Sequence, residues 1–160
     1  MRRTAFTMIE LVFVIVVIGI LAAIAIPRLA ATRDDAQIAK GRSDVSAIRS
    51  AIVSERQARL LQGNSSYINK LHTGNDGNFT TIFDNNGTAA NTILQYGVVT
   101  QNSTNGHWDD TVAANGTNWQ YTYRVINTDI TFDYNSTNGA FSCNRAAVGD
   151  AGTFCQRLID

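Results

Sequence analysis

The chain has 160 residues, room for one domain plus a membrane-length helix, and only 16% of them are charged. Thirteen basic residues balance thirteen acidic ones, so the strongly basic surface that a nucleic-acid partner usually requires is missing. No Gly-rich phosphate loop, His-Glu-x-x-His or nucleophile motif occurs, which argues against an enzyme. In chain order, the first element is an apolar helix. From Leu11 to Ile26 no residue carries a charge, and the run from Phe6 to Ile26 counts 21 residues. At about 1.5 Å per residue that length crosses a bilayer core of roughly 30 Å. A secretory signal peptide has a shorter apolar core followed by a small-residue cleavage site. Here the natural cleavage point precedes the run, so the helix is expected to stay in the mature protein.

Glu10 interrupts the apolar run one turn in. A carboxylate at mid-bilayer costs roughly 2.5–3.5 kcal/mol on the insertion scale, and less near the interface. Two readings follow. Either Glu10 stays wet at the cytoplasmic interface, or it awaits a cation from another copy of the chain. Arg2 and Arg3 precede the run and place the N-terminus on the cytoplasmic side. Arg28 and Arg33 follow it and weaken that signal.

Residues 5–27 read Ala5-Phe6-Thr7-Met8-Ile9-Glu10, then an apolar run to Pro27. This segment resembles the N-terminal cleavage and methylation segment of type IV prepilins and of type II secretion pseudopilins. Ala5 stands where the family usually has Gly, its nearest neighbour in size. The resemblance implies a leader at residues 1–5, cleaved by the prepilin peptidase between Ala5 and Phe6, and N-methylation of the new Phe6 amine. It assigns Glu10 to assembly, with the Phe6 amine of a neighbouring subunit as its partner. It makes Gly19 and Pro27 helix-weakening positions, because Pro lacks a backbone donor and Gly lowers helix propensity. The partners it implies are copies of the chain or homologous pilins, the peptidase, the inner-membrane assembly machinery, and the lipid bilayer before assembly. The expected location is the bacterial inner membrane, single-pass with the N-terminus cytoplasmic, and then a periplasmic or surface filament.

Residues 6–27 are thus read as the transmembrane and assembly helix, and residues 28–62 as its amphipathic continuation. Ile38, Val45, Ile48 and Ile52 recur at helical spacing, and Ala47, Ala51 and Ala58 widen that face. Gly63 is placed to cap the end near Leu61. Seven basic residues lie between Arg28 and Arg59, whereas acidic residues dominate after residue 61. A basic stem would attract the acidic head of a neighbour, or simply present a solvated face. With Arg2 and Arg3 removed, 11 basic residues remain against 13 acidic ones, a net charge of about −2.

Residues 63–160 form the expected head. Asn64 to Asn91 shows no clean period and reads as an irregular loop packed by Tyr67, Ile68, Leu71, Phe79, Ile82 and Phe83. Trp119, Tyr121, Tyr123 and Val125 alternate with polar residues, as do Ile130, Phe132 and Tyr134. With Asn127-Thr128-Asp129 between them, the two runs predict an antiparallel hairpin. Tyr96–Thr100 and Ala140–Cys143 are further candidate strands. The whole reads as α+β, a long helix whose C-terminal half lies on an antiparallel sheet, and this again resembles the pilin fold.

Cys143 and Cys155 allow one intramolecular pairing, in an oxidising compartment outside the inner membrane. The alternative is two reduced thiols. A bridge would pin the loop Asn144–Phe154 to the last strand. Six N-x-S/T acceptors occur, at Asn64, Asn78, Asn86, Asn102, Asn115 and Asn135. Asn78, Asn86 and Asn135 also have Asp two residues earlier, a form similar to the acceptor of bacterial periplasmic N-glycosylation. His72 and His107 sit in Gly/Asn-rich stretches. His107-Trp108-Asp109-Asp110 reads as acid/base or metal chemistry, or as a solvated loop with a Trp tucked beneath it. No cofactor is expected. Calcium is the one ion to consider, at Asp76–Asn78, Asp84–Asn86 and Asp109–Asp110, since some pseudopilins bind it; none of these loops has the EF-hand order. The expected function is a structural subunit of a type IV pilus-like filament. The alternatives are a pseudopilin of a short periplasmic secretion filament and, from another class, a monomeric binding domain tethered by its helix.

Overall fold

The first helix starts where the sequence offers a cap. Thr7 lies just ahead of α1 (Met8–Leu61). Its hydroxyl accepts a hydrogen bond from the Glu10 amide at 3.3 Å, and its carbonyl accepts from the Leu11 amide at 3.2 Å. The far end stops at Gly63, as the sequence predicts. Gly63 has a φ of 78°, a left-handed conformation that costs glycine little. The Asn64 amide folds back to the Arg59 carbonyl at 2.9 Å. Pro27 lies inside the helix and leaves the Ala23 carbonyl without its usual donor. The computed structural model describes residues 6–72, 81–83 and 93–160. It divides into two units, Met1–Ala36 and Gln37–Asp160.

In the first unit the described residues beyond Thr7 are all helical. Its large apolar side chains are exposed, from Phe6 at 78% to Leu29 at 67%. In the second unit the helix buries Ile38, Val45, Ile48 and Ile52, the four positions that the periodicity selects. Ala47 is exposed and Ala51 and Ala58 are half-buried, so the buried stripe is narrower than the sequence suggests.

Those side chains pack with an aromatic sheet face. The strands β1 (Thr81–Ile82) and β2 (Val98–Val99) form a small antiparallel pair. A separate four-stranded antiparallel sheet runs in the order β3 (His107–Asn115), β4 (Asn118–Val125), β5 (Thr128–Asn135) and β6 (Ala140–Cys143). The β4–β5 hairpin is present with longer strands and a tighter turn than expected. Val125 pairs with Thr128, so the turn is Ile126-Asn127, not Asn127-Thr128-Asp129. Both turn residues have positive φ, 48° and 60°, the primed geometry that suits the strand twist. A β-branched residue resists that conformation. The Ile126 amide donates to Gln37 Oε1 at 3.3 Å and the Asn127 amide to Asn105 Oδ1 at 2.8 Å, which holds the turn.

Three sequence readings need correction. His107–Asp110 is not a solvated loop but the start of β3, which a bulge between Trp108 and Val112 hides from a period-two reading. The expected strand Tyr96–Thr100 shrinks to Val98–Val99, with Tyr96 exposed. The expected loop Asn144–Phe154 contains the start of α2 (Asp150–Ile159), whose Cys155 and Leu158 are buried. Because β6 pairs only with Phe132–Asn135, the other half of β5 is left as an edge, and α2 packs against β5. The sheet face carries Trp108, Tyr121, Tyr123, Phe132 and Phe141, all buried. Phe132 and Phe141 stack with centroids 5.1 Å apart.

Gly41 shows why the one weak residue in the amphipathic half of α1 belongs there. A Cβ at that position would meet Tyr123 Cε1 at 2.5 Å and Leu158 Cδ2 at 2.7 Å. Tyr123 cannot easily retreat, since its hydroxyl donates to the Gln37 carbonyl at 2.8 Å. Although Gly→Ala ordinarily stabilises a helix by up to about 1 kcal/mol, Gly41→Ala is expected to destabilise by about 1–3 kcal/mol through overpacking. Denaturant unfolding of the full chain in detergent checks this; an unchanged or raised midpoint contradicts it.

Candidate assembly site

Thr7-Met8-Ile9-Glu10 has the spacing of a capping box, with Thr7 at the cap and Glu10 three residues on. The carboxylate therefore lies in the first turn of α1, where the helix dipole favours negative charge. Sequence reasoning singled out Glu10 as a buried-charge anomaly and missed Thr7, although the T-x-x-E spacing ahead of an apolar run was legible. Phe6 precedes the helix and is exposed. Ala5, the other side of the expected cleavage bond, lies outside the described residues. Among the described residues, nothing lies within 4 Å of where a Cβ on Gly19 would stand, so their packing does not require a glycine there. Gly19 and Pro27 are both helical.

An apolar surface of this extent is far larger than the patches that soluble monomers tolerate. By length and composition α1 is able to cross a membrane. Two covers are chemically sensible: lipid, and other helices of the same kind. Neither satisfies a carboxylate by itself, so a cation beside Glu10 would be favoured once water is excluded.

Cys143 and Cys155 form a disulfide, with sulfurs 2.05 Å apart. It joins the end of β6 to α2. Closing a loop of this size is worth on the order of 3 kcal/mol in the chain-entropy model. Among the expected glycan acceptors, Asn78 and Asn86 lie outside the described residues. Asn135 ends β5, and its Oδ1 accepts from the Thr137 amide at 2.8 Å.

Five of the seven stem cations, those from Lys40 to Arg59, have partners inside the second unit. Lys40 Nζ donates to the Gly106 carbonyl at 2.6 Å. Arg42 donates to the Arg157 carbonyl at 3.0 and 2.6 Å, and Arg49 to the Phe141 carbonyl at 3.1 and 3.0 Å. Arg56 donates to the Ser65 carbonyl and lies 4.2 Å from the centre of the Tyr67 ring. Arg59 pairs with Glu55 at 2.8 Å. Lys40, Arg42, Arg49 and Arg56 thus clasp head backbone to helix, a role that neither sequence reading of the basic stem foresaw.

The histidines also differ from expectation. His72 is fully buried, with Nδ1 2.9 Å from the Tyr121 hydroxyl and its ring edge-on to Trp119. His107 lies in β3. Trp108 is buried and its Nε1 donates to Asp44 Oδ2 at 3.1 Å. Burial would lift the Asp109 carboxyl, but hydrogen bonds from the Thr111 hydroxyl and amide outweigh it and hold it below its usual range. Among the described residues, no group of three or more His, Cys, Asp or Glu side chains is placed to hold a metal. Asp76–Asn78 and Asp84–Asn86 lie outside those residues.

The chain is similar to the Type IV narrow pilus major component PilA5 of Thermus thermophilus, with 51% identity over 51 residues. The match takes in 32% of this chain and 44% of the relative, so it spans less than half of that protein's length. It supports the resemblance to type IV pilins that residues 5–27 carry. No family model matches the chain, and no solved structure does.

Asp44 is a half-buried carboxyl that the sequence did not mark. Burial raises its carboxyl above the ordinary 3.8, and this outweighs the Trp108 hydrogen bond and the nearby Lys40 charge. The native state therefore holds this proton more tightly than the unfolded chain does. The stabilisation it brings is fully present below pH 3.8 and is lost as pH rises through the elevated folded value. Asp44→Asn keeps an acceptor for Trp108 and removes the half-buried charge. Its melting temperature at pH 7 is expected to match or exceed that of the wild type, by up to about 1 kcal/mol of stability. Thermal melts at pH 4 and pH 7 test this, and a fall of several degrees at pH 7 contradicts it.

Proposed function

We propose that the chain is a structural subunit of a type IV pilus-like filament. One observation carries this reading: an exposed, membrane-length helix bears a single acid in its first turn. The pilus component to which the chain is similar supports it. The precursor waits in the bacterial inner membrane with its N-terminus in the cytoplasm. The prepilin peptidase removes residues 1–5, and the new Phe6 amine is methylated. The assembly machinery then moves α1 out of lipid and into a bundle of identical helices. That transfer changes the hydrophobic energy little, because lipid tails are as apolar as the side chains of the bundle. Packing and polar pairing must therefore select the register. Glu10 supplies the selection by pairing with the Phe6 amine of an adjacent subunit. The head, with its disulfide-tied C-terminus, is what such a filament displays. A pseudopilus would use the same segment, but the similar protein is a component of a pilus.

A monomeric tethered domain would need none of this. Glu10→Ala separates the two. In a filament subunit it leaves an amine unpaired in an apolar bundle, a loss on the scale of several kcal/mol. The expected result is at least about a tenfold fall in sheared filaments, with the level of the protein in the membrane unchanged. Unaltered filament yield contradicts the proposal.

A further inference from the structure

We propose that Thr7 is a positioning residue for leader removal: by capping α1 it keeps the bond to be cut outside the helix. This rests on the reading that the chain is a substrate of the prepilin peptidase. Hydrolysis of the Ala5–Phe6 peptide consumes one water, leaving a carboxylate on Ala5 and a free amine on Phe6. A peptidase needs that bond out of helical hydrogen bonding, and cleavage tracks the population of chain in which it is open. The Thr7 hydroxyl takes the Glu10 amide at 3.3 Å, and α1 begins only at Met8. Phe6, which supplies the nitrogen of the bond, therefore lies outside the helix.

The sequence shows what the cap holds back. Thr4 is a second candidate cap one turn upstream. A helix starting from Thr4 would take in both Ala5 and Phe6. Thr7 has the advantage, because Glu10 stands three residues beyond it, whereas Thr7 itself occupies that place for Thr4. Replacing Thr7 with Ala removes the favoured cap and inserts the strongest helix former at the same position. The helix then extends over the scissile bond. Ser and Asp at residue 7 cap at least as well as Thr.

The test uses the full-length precursor in detergent with membranes that contain a prepilin peptidase, and follows loss of the five-residue leader by mass. Thr7→Ala is expected to slow cleavage roughly fivefold, the population shift that loss of one cap produces. Thr7→Ser and Thr7→Asp are expected to be cut at the wild-type rate or faster. Hydrogen exchange gives a second readout: the Met8 and Ile9 amides, first-turn donors with no helical carbonyl to reach while α1 starts at Met8, should gain protection in Thr7→Ala and not in Thr7→Ser. Wild-type cleavage of Thr7→Ala overturns the proposal. So does equal slowing of all three variants, which means that the peptidase reads the threonine directly. A wild-type chain that is never cut at Ala5–Phe6 overturns the processing reading itself, an outcome distinct from any difference among variants.

Discussion

From Leu11 to Ile26 there is no charge, and among the described residues the large apolar side chains of this run are exposed; this constraint governs everything else. Each large apolar side chain kept in water forgoes roughly 1.5–3 kcal/mol of burial. The segment must therefore sit in lipid or among other helices. The hydrophobic effect drives it out of water but does not choose between those two environments, which are equally apolar. The choice falls to the few features that are not apolar: Glu10, the amine that cleavage would create, and the backbone interrupted at Pro27. A single carboxylate has little effect in water, where solvent screens it. In a bundle of apolar helices the same charge carries a large penalty unless a cation meets it.

The second unit solves a different problem. It lays a narrow stripe of Ile38, Val45, Ile48 and Ile52 on a sheet of aromatic residues, and fastens the seam with charged groups. Lys40, Arg42, Arg49, Arg56 and Arg59 reach main-chain carbonyls or a local carboxylate. Hydrogen bonds from charged donors are among the stronger ones, and carbonyls at strand ends and loops offer them fixed partners. The Trp108–Asp44 bond crosses the same seam. A head built in this way keeps its register with the helix whether or not neighbours are present.

Much of this was legible in the sequence where one strong pattern decided the outcome. The helix stop at Gly63, the four buried isoleucine and valine positions, β6 and the disulfide pair all followed from local rules. The failures have physical causes. β3 was hidden because its bulge puts Asp109 and Asp110 between Trp108 and Val112, which breaks the alternation that identifies a strand. The helix α2 was hidden because Gly152 sits within it. That glycine is required by close packing against the carbonyls of Ala147 and Arg145, and this contact lies outside any local propensity. The surroundings of His72, buried, and Asp44, half-buried, depend on which distant residues arrive, Tyr121 in one case and Trp108 in the other. At the assembly segment, Glu10 stands out as a charge in an apolar run, whereas its capping relation to Thr7 is carried only by the T-x-x-E spacing.

Protein sheared from the cell surface, analysed by intact mass and N-terminal sequencing, tests the central claim most directly. The account predicts filaments whose subunits begin at N-methylated Phe6 and lack the mass of the first five residues. Unpolymerised protein that still begins at Met1 would contradict it.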